Sequence, residues 1–466
     1  MKYILAIDQS TQGTKVLLFD DSGKIISNAY KTHLQLVDKN GYISHDLDEI
    51  YHCLIHCVHE CVDHSKIDKN DLVGIGLTNQ RETSCMWNNE GPICNAVVWQ
   101  CSRGKEISDQ LTKYKEKVFS LSGLPLSPYF PASKMKWLIN HHPRKEYYLG
   151  TVDSYLIYKL TGNFYTDISN AARTQLFNIK TLKWDDELCS IFGIDKSHLP
   201  IVKSSDSNFG ETDFDGYLPK KIPIYAVLGD SNAALYAHGC HNEGDIKATY
   251  GTGSSVMMNS GSSCLIKDDG LATSIAWEIA NQINYVFEGN INYSCAIISW
   301  LKDDVGLIKE AKEISSLANV ANPNDNTILI PAFSGLSAPH WKTEAKASIT
   351  NMSRTTGKNE IAKAAEESIV FQIQDVLDCL KERTNSNLNK LYVDGGAIND
   401  SYLMQSQSDY SQLDIYASSF KELSACGVAY LAGLRLGIYN KNVFKENIDY
   451  KIYTPNVYDK YPEFKR

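Results

Sequence analysis

Charged residues follow an apolar segment early in the chain, where they are well placed for chemistry. Val73 to Leu77 has the composition of a short buried strand, and Arg81 and Glu82 come soon after its end. Enzymes with α/β sheets place functional groups past the carboxyl ends of strands. Arginine can donate to vicinal hydroxyl groups and glutamate can accept from them, and Trp99 and Tyr129 could add an apolar wall. Taken alone, these four residues are more typical of a surface ion pair and two core aromatic side chains.

Asp230 repeats this placement in a second segment. The apolar run from Ile222 to Leu228 leads through Gly229 to Asp230, and a helical pattern follows from Ala233 to His238. A carboxylate at this point could accept the proton of an attacking hydroxyl group, a role worth about 10²- to 10⁴-fold in rate. Aspartate is also a favoured helix N-cap. The residues by themselves leave these two interpretations evenly matched.

Three loops have compositions suited to phosphate: Asp8 to Lys15, Gly251 to Ser255, and Asp394 to Ala397. Glycine lets backbone N–H groups approach an anion, and Thr and Ser hydroxyl groups add donors. None of the loops fits the P-loop or a full GxGxxG pattern, and each by itself is more typical of a hairpin or cap. Together, on two domains that face one cleft, they favour ATP. Asp8 could hold Mg²⁺ through water and Lys15 could meet a phosphate, or the two could be a turn cap and a solvated cation.

The elements that must position these loops occur twice along the chain. An antiparallel meander opens the first half, with β-rich runs at Tyr3 to Ile7, Lys15 to Phe19 and Lys24 to Ser27. Asp245 to Tyr250 and Val256 to Asn259 enclose the second loop in the same way. This repetition predicts two comparable α/β domains that pack closely around a cleft, with a boundary near residues 238 to 246.

The second half also contains two helical segments. Asn359 to Arg383 carries one apolar stripe, and a small-residue helix is predicted from Leu423 to Leu436. The strand Leu391 to Val393 precedes the third loop. In the first half, Cys53, Cys57 and Cys61 recur at a spacing of four. That spacing predicts a packed helix face, with a metal site shared with the neighbouring histidines as the alternative.

Composition excludes several classes of protein. The 466 residues are 43% hydrophobic and 22% charged, which is typical of a globular protein and not of a disordered, collagen-like or disulfide-stapled chain. The net charge of −9, from 46 Lys and Arg against 55 Asp and Glu, argues against nucleic-acid and membrane partners. The 12 Cys are scattered, and neither a signal peptide nor a membrane-spanning run of about 20 apolar residues is found. We therefore expect a cytoplasmic protein with free thiols.

Eight stretches of the chain, taken in order, resemble the FGGY family of carbohydrate kinases. They are IGLTNQRET (75 to 83), AVVWQCSR (96 to 103), PYFPASKMKWL (128 to 138), GTVDSYLIYKLTG (150 to 162), NAARTQLFNI (170 to 179), ATYGTGS (248 to 254), PAFSGLSAPHW (331 to 341) and VDGGAINDSYLMQ (393 to 405). The resemblance runs from the Asp8 loop to Leu436. It implies an α/β fold of two actin-like ATPase (ribonuclease H-like) domains around a central cleft. Residues 1–240 would form the N-terminal domain, with the polyol or sugar and the first phosphate loop, and residues 241–466 the nucleotide-binding C-terminal domain.

The resemblance also assigns expected roles, position by position. Asp230 falls on the catalytic base. The substrate-binding positions are Arg81, Glu82, Trp99, Tyr129, Asp230 and Ser231. The nucleotide-binding positions are Ser10, Thr11, Gln12, Lys15, Thr252, Gly253, Gly396 and Ala397, and Asp8 falls on the metal-associated carboxylate. The implied cofactors are ATP and Mg²⁺.

The implied activity is ATP-dependent phosphorylation of a terminal hydroxyl group of a small polyol, with glycerol as the first candidate. The chain departs at two places, three residues in all, from the family members that act on glycerol: Ser231 and Asn232 replace a Gln pair, and Ser255 replaces a Phe. These smaller side chains favour a longer or more hydroxylated substrate, such as a tetritol or a pentulose (xylulose or ribulose), and dihydroxyacetone is a further alternative that the family resemblance allows. Cys295 and Ser299 also depart from the family pattern near the adenine. A catalytically silent ligand-binding relative is the third reading, and a homodimer or homotetramer is expected.

Overall fold

The computed structural model describes residues 1–342 and 344–456. Its strands are β1 (Tyr3–Gln9), β2 (Gly13–Phe19), β3 (Ile25–Thr32), β4 (Leu36–Val37), β5 (Ile43–His45), β6 (Leu72–Asn79), β7 (Ser84–Asn88), β8 (Gly91–Pro92), β9 (Ala96–Val97), β10 (Tyr148–Thr151), β11 (Tyr165–Asp167), β12 (Phe177–Asn178), β13 (Lys183–Trp184), β14 (Ile201–Lys203), β15 (Glu211–Thr212), β16 (Ile222–Gly229), β17 (Ile246–Tyr250), β18 (Ser254–Asn259), β19 (Ala272–Ile279), β20 (Gln282–Ile291), β21 (Ile328–Ile330), β22 (Ser348–Thr350), β23 (Lys390–Gly395), β24 (Asp414–Ser418) and β25 (Tyr450–Tyr453).

The α-helices are α1 (Leu47–Ser65), α2 (Lys105–Gln110), α3 (Lys115–Ser122), α4 (Pro131–His141), α5 (Val152–Thr161), α6 (Ile168–Ala171), α7 (Asp186–Phe192), α8 (Asp230–Ala237), α9 (Ala296–Asp303), α10 (Glu313–Asn319), α11 (Lys358–Thr384), α12 (Ser401–Ser411), α13 (Leu423–Arg435) and α14 (Val443–Asn447). None of the helices in the described ranges is long and apolar enough to cross a membrane.

Two large sheets share one topology. The first has the strand order β15-β16-β6-β1-β2-β3, and the second has the order β19-β20-β18-β17-β23-β24-β25. In the first, β1 pairs antiparallel with β2 and parallel with β6. In the second, β17 pairs antiparallel with β18 and parallel with β23. The prediction of two comparable α/β units is therefore confirmed.

The polar loops are shorter than the sequence predicted. Asp8 pairs with Lys15 and Gln9 with Thr14 across β1 and β2, so only residues 10–12 form the first turn. Ser254 and Ser255 belong to β18, and Asp394 and Gly395 end β23. The prediction of longer loops was wrong because a backbone ladder continues through polar residues when its N–H and C=O groups still find partners.

Helices α8 and α13 join the two halves. Both helices belong to one core with apolar residues from both sheets, including Leu228 of β16 and Met257 of β18. The approach is close: a Cβ atom on Gly76 of β6 would lie 2.4 Å from the Val428 carbonyl oxygen of α13. The predicted close packing of the halves is thus achieved by a helix of the second half that lies against the first sheet.

The two other predicted helices are also confirmed. α11 spans Lys358–Thr384, and its apolar stripe lies in the core of the second half. In α1, Cys53, Cys57 and Cys61 are all buried, as expected for a packed helix face.

Candidate active site

Parallel strands of the first sheet bring Asp8 and Asp230 to one edge. Asp8 is in register with Thr78 of β6, and Thr78 is in register with Leu228 of β16. Asp230 follows β16 directly as the first residue of α8. Since the carboxyl ends of parallel strands meet at one edge, this is where α/β enzymes bind ligands.

Neighbouring groups orient the Asp230 carboxylate but leave it partly exposed to solvent. One carboxylate oxygen accepts from the Ser231 amide N–H at 2.6 Å, and Arg81 Nε lies 3.5 Å from the same oxygen. The side chain is 37% exposed. Gly229 occupies the N-cap position of α8 and no side chain caps the helix, so the N-cap interpretation of Asp230 was wrong. Its carboxylate remains accessible to a ligand.

Arg81 and Glu82 are part of a buried ionic network and not a surface pair. Arg81 Nη2 lies 2.6 Å from Glu288, and Arg173 donates at 2.6 Å to both Glu82 and Glu288. All four residues are at most 5% exposed. Gly229 makes room for this arrangement, because a Cβ atom there would lie 2.6 Å from Arg81 Cδ. The surface-pair interpretation was wrong because the compensating residues Arg173 and Glu288 are distant in sequence.

The carboxyl groups in this region differ in their affinity for protons. Burial raises the pKa of Asp8 to about 7, and the charge of Asp230 adds to this effect while Lys15 opposes it. The pKa of Asp230 is raised because surrounding protein displaces bulk water, although Arg81 offsets part of the effect. Burial would also raise the pKa of Glu288, but Arg173 and Arg81 outweigh it and hold that pKa at about 2. Glu288 therefore stays ionised, whereas the pKa values of Asp8 and Asp230 are shifted upward.

Two aromatic side chains stand over this network. Trp99 and Tyr129 are partly exposed and meet edge to face with ring centroids 5.7 Å apart. The indole N–H of Trp99 donates to the Thr11 hydroxyl at 3.0 Å, which connects the aromatic wall to the first polar turn. The aromatic pair and the first turn are therefore in direct contact, and Tyr129 also packs against the buried side chains of Leu124, Phe130 and Ala272.

The first turn, residues 10–12, is closed by its own hydrogen bonds. The Ser10 amide and hydroxyl both donate to the Gly13 carbonyl oxygen at 2.9 Å. Gln12 lies at the exposed tip. Lys15 is held by an ion pair with Glu422, next to α13. A phosphate at this turn would have to compete with Glu422 for the Lys15 ammonium group.

The second sheet places its two glycine loops side by side. Tyr250 and Gly395 are register partners at the ends of β17 and β23, so the Thr252–Gly253 turn and the Gly396–Ala397 turn adjoin. Gly395 has a φ of 103°, and a Cβ atom there would lie 2.3 Å from the Tyr250 carbonyl oxygen. These turns therefore offer backbone groups that a phosphate or sugar could approach.

The chain matches two family models in succession. Residues 3–237 match the N-terminal domain of the FGGY family of carbohydrate kinases, and residues 246–436 match its C-terminal domain. The chain belongs to the FGGY family of carbohydrate kinases. It is therefore an ATP-dependent carbohydrate or polyol kinase with the two-domain actin-like (ribonuclease H-like) fold of that family.

Relatives of this FGGY kinase align over nearly the whole chain. Glycerol kinase 1 of Thermotoga maritima is 40% identical over 99% of this chain and 96% of the relative. The glycerol kinase of Haloarcula marismortui is 38% identical over 94% of this chain and 90% of the relative. Among solved structures, Plasmodium falciparum glycerol kinase with ADP has a TM-score of 0.93 and 33% identity, covering 100% of this chain and 96% of that one. A xylulose kinase from Lactobacillus acidophilus, with a TM-score of 0.89, 21% identity and coverage of 98% and 94%, shares the fold.

The two departures of this FGGY kinase lie at the site. Ser231 is next to Asp230, and its hydroxyl lies 3.3 Å from the Asp230 carboxylate. The Ser255 hydroxyl donates to Glu288 at 3.1 Å. Each serine thus adds a polar contact to the charged network.

Sequence reasoning missed three residues of this FGGY kinase that contact predicted site residues: Arg173, Glu288 and Lys134. Arg173 and Lys134 lie within the quoted stretches NAARTQLFNI and PYFPASKMKWL, so buried charge within a family stretch was the available signal. Glu288 has no such signal. A cavity of about 680 Å³ lies at the opposite end of the second sheet, beside Asn259 and Arg383, and contains none of the predicted site residues.

Proposed function

We propose that the protein transfers the γ-phosphoryl group of ATP to a terminal hydroxyl group of a small polyol, with glycerol as the first candidate and glycerol 3-phosphate and ADP as products. The observation that carries this proposal is the placement of Asp230. Its exposed carboxylate lies at a strand end, 3.5 Å from Arg81 and close enough to Asp8 to raise its pKa. The curated relatives named above, glycerol kinases at 38% and 40% identity, support glycerol as the acceptor.

Asp230 would act as the general base. Phosphoryl transfer needs the attacking oxygen in line with the γ-phosphorus and an acceptor for its proton. As the hydroxyl oxygen bonds to the γ-phosphorus, its proton passes to the Asp230 carboxylate. The bond between the γ-phosphorus and the β,γ-bridging oxygen breaks at the same time and releases ADP. Burial raises the pKa of Asp230, which strengthens its carboxylate as a base, while the charge of Arg81 opposes that shift.

Arg81 and Glu82 would bind the hydroxyl groups that do not react. Both side chains are fixed by ion pairs, Arg81 with Glu288 and Glu82 with Arg173. Groups held in this way lose little conformational entropy when a ligand binds. Tyr129 and Trp99 would cover the carbon side of the polyol, and Ser231 would complete the pocket beside Asp230.

ATP and Mg²⁺ fit the remaining polar groups. Ser10, Thr11, Gln12 and Lys15 on the first sheet, and Thr252, Gly253, Gly396 and Ala397 on the second, would contact the nucleotide. Asp8 would hold Mg²⁺, directly or through water, because its carboxylate is destabilised by burial and by Asp230 and a divalent cation would relieve that repulsion. The ion supplies neutralisation of phosphate charge when it is bound.

Within this function, the compound that accepts the phosphoryl group depends on the shape and polarity of the pocket. Ser231 and Ser255 favour a larger or more hydroxylated substrate than glycerol, such as a tetritol, xylulose or ribulose, and the three-carbon ketose dihydroxyacetone is a further candidate of this family. A coupled ADP-release assay across glycerol, dihydroxyacetone, erythritol, xylulose and ribulose tests the proposal. The highest kcat/KM for glycerol would support the first candidate. Absence of ADP release with every acceptor would refute the proposal and support a silent ligand-binding relative.

We further propose where the chain divides into domains, where in the cell the protein is found, which classes of partner it binds and how it assembles. A domain boundary between residues 240 and 241 is supported by the family-model matches, which leave residues 238–245 between them. The composition supports a cytoplasmic protein that binds a small polyol or sugar and neither nucleic acid nor membrane. A homodimer or homotetramer is the expected assembly, and light scattering during gel filtration would measure it.

A further inference from the structure

Lys134 is a fully buried cation beneath the candidate polyol site. It lies on α4, and its exposed fraction is 0%. Its ammonium group donates to the Glu82 carbonyl oxygen at 3.2 Å and to the Tyr129 carbonyl oxygen. These two residues lie on different segments, one after β6 and one before α4. A single side chain therefore joins the backbones of two candidate polyol-binding residues.

The backbone that Lys134 holds is strained. Glu82 has a φ of 60°, in the left-handed region that residues other than glycine rarely adopt. Such strain persists only where the surroundings impose it. This conformation directs the Glu82 carboxylate to Arg173 at 2.6 Å, next to Arg81. The bond from Lys134 to the Glu82 carbonyl stabilises that orientation.

Burying an ammonium group removes it from water, which costs more free energy than two hydrogen bonds to carbonyl oxygens would require from a neutral donor. Burial lowers the pKa of Lys134 to about 7, although the charges of Glu82 and Cys101 oppose the shift. Both the ammonium ion and the neutral amine can donate to two carbonyl groups, so the contacts persist on either side of that pKa. Buried polar groups of this kind are retained where they fix one arrangement of the surrounding chain.

We propose that Lys134 is a positioning residue of the polyol site, which ties the Glu82 and Tyr129 backbones together so that their side chains keep the orientation that binds hydroxyl groups. The inference rests on the proposed function. Lys134 itself is not expected to touch the polyol, because it is fully buried and its ammonium group bonds to backbone carbonyl oxygens. Its loss should therefore weaken polyol binding and leave nucleotide binding unchanged.

Steady-state kinetics of Lys134→Met test this inference. Methionine fills a similar volume without a donor. With the acceptor that the wild-type enzyme uses best, we expect the KM for the polyol to rise about tenfold or more, since small displacements of binding groups are costly. The KM for ATP should stay within about twofold of the wild-type value. Lys136→Met is the matched control, because Lys136 lies two positions along on the same helix and contacts the Gly193 carbonyl oxygen outside the site. It should behave like the wild type.

Other results for the Lys134 variants would overturn the inference. A folded Lys134→Met enzyme with an unchanged polyol KM, or with equal rises in both KM values, would overturn the inference. Lys134→Gln, which keeps an N–H donor, provides a second folded variant and should show a smaller rise. If neither variant folds, as judged by circular dichroism, Lys134 serves the fold and the inference fails. A wild-type enzyme that releases no ADP with any acceptor would instead refute the proposed function.

Discussion

Arg81 and Glu288 form an ion pair of 2.6 Å between the two halves of the chain. Neither residue is more than 5% exposed. Glu288 also accepts from Arg173 and from the Ser255 hydroxyl. One carboxylate of the second sheet therefore fixes the arginine that the first half contributes to the polyol site.

The first prediction concerns this pair. Glu288→Gln removes the charge that compensates both Arg81 and Arg173, and breaking a buried pair from one side costs about 3–5 kcal/mol. We expect a loss of that size in the free energy of unfolding, measured by urea denaturation. Glu187→Gln is the control, because Glu187 pairs with Lys117 on the surface and should change stability by less than about 1 kcal/mol. Equal losses in the two variants would contradict the prediction.

The second prediction concerns catalysis by Asp230. Asp230→Asn cannot accept a proton, so we expect kcat to fall by about 10²- to 10⁴-fold. The polyol should still raise the melting temperature, because Arg81 and Glu82 remain in place. ADP release and thermal shift, measured on the same samples, separate these effects. Near-normal turnover would show that another group takes the proton.

The third prediction is a pH dependence at Asp8. The pKa of Asp8 is raised to about 7, from an ordinary value of 3.8. Such a group favours the folded state at low pH and loses that contribution as the pH rises through about 7. In metal-free protein, the gain in melting temperature from Asp8→Asn should therefore grow between about pH 4 and pH 8. Calorimetry in the presence of a chelator measures the gain, and a gain that does not vary with pH would be the contrary result.

The fourth prediction concerns the acceptor. Ser231→Gln combined with Ser255→Phe fills the pocket and makes it less polar. We expect the ratio of kcat/KM for glycerol to that for four- and five-carbon acceptors to rise about tenfold, of the order that one or two extra methylene groups give in such pockets. Ser255→Ala is the control, because it removes only the hydrogen bond to Glu288. An unchanged ratio in the double variant would count against the larger-substrate alternative.

The fifth prediction concerns a buried acid in α11. Glu366 is 0% exposed, and the polar side chain that approaches its carboxyl group is Asp400, which is itself an acid. Burial and then the charge of Asp400 raise its pKa to about 10. Glu366→Leu should increase the free energy of unfolding by about 1–3 kcal/mol, since it replaces a costly buried polar group with an apolar one. Glu367→Leu should instead destabilise the protein, because Glu367 accepts from Tyr410 and lies 3.8 Å from Lys363.

Much of the fold follows from local sequence patterns. The runs that predict β1, β2, β6 and β16 are mainly apolar, and the long stripe of α11 recurs at helical spacing. These patterns predict the elements correctly because each depends only on residues close together in one strand or helix. The lengths of the polar turns were overestimated, because whether Asp8 and Lys15 continue a ladder depends on their pairing with each other.

For the candidate site, the sequence by itself determined which residue types stand at the strand ends: Asp8, Arg81, Glu82 and Asp230. It also carried the family resemblance that assigns them roles. Only the tertiary structure decided how those charges are balanced, through Arg173 and Glu288, and which side chain supports Glu82 from below, through Lys134. The reason is physical. A buried charge is stable only when it is paired, and here the partners come from distant parts of the chain. No local sequence pattern shows which distant residues will lie together in the folded protein.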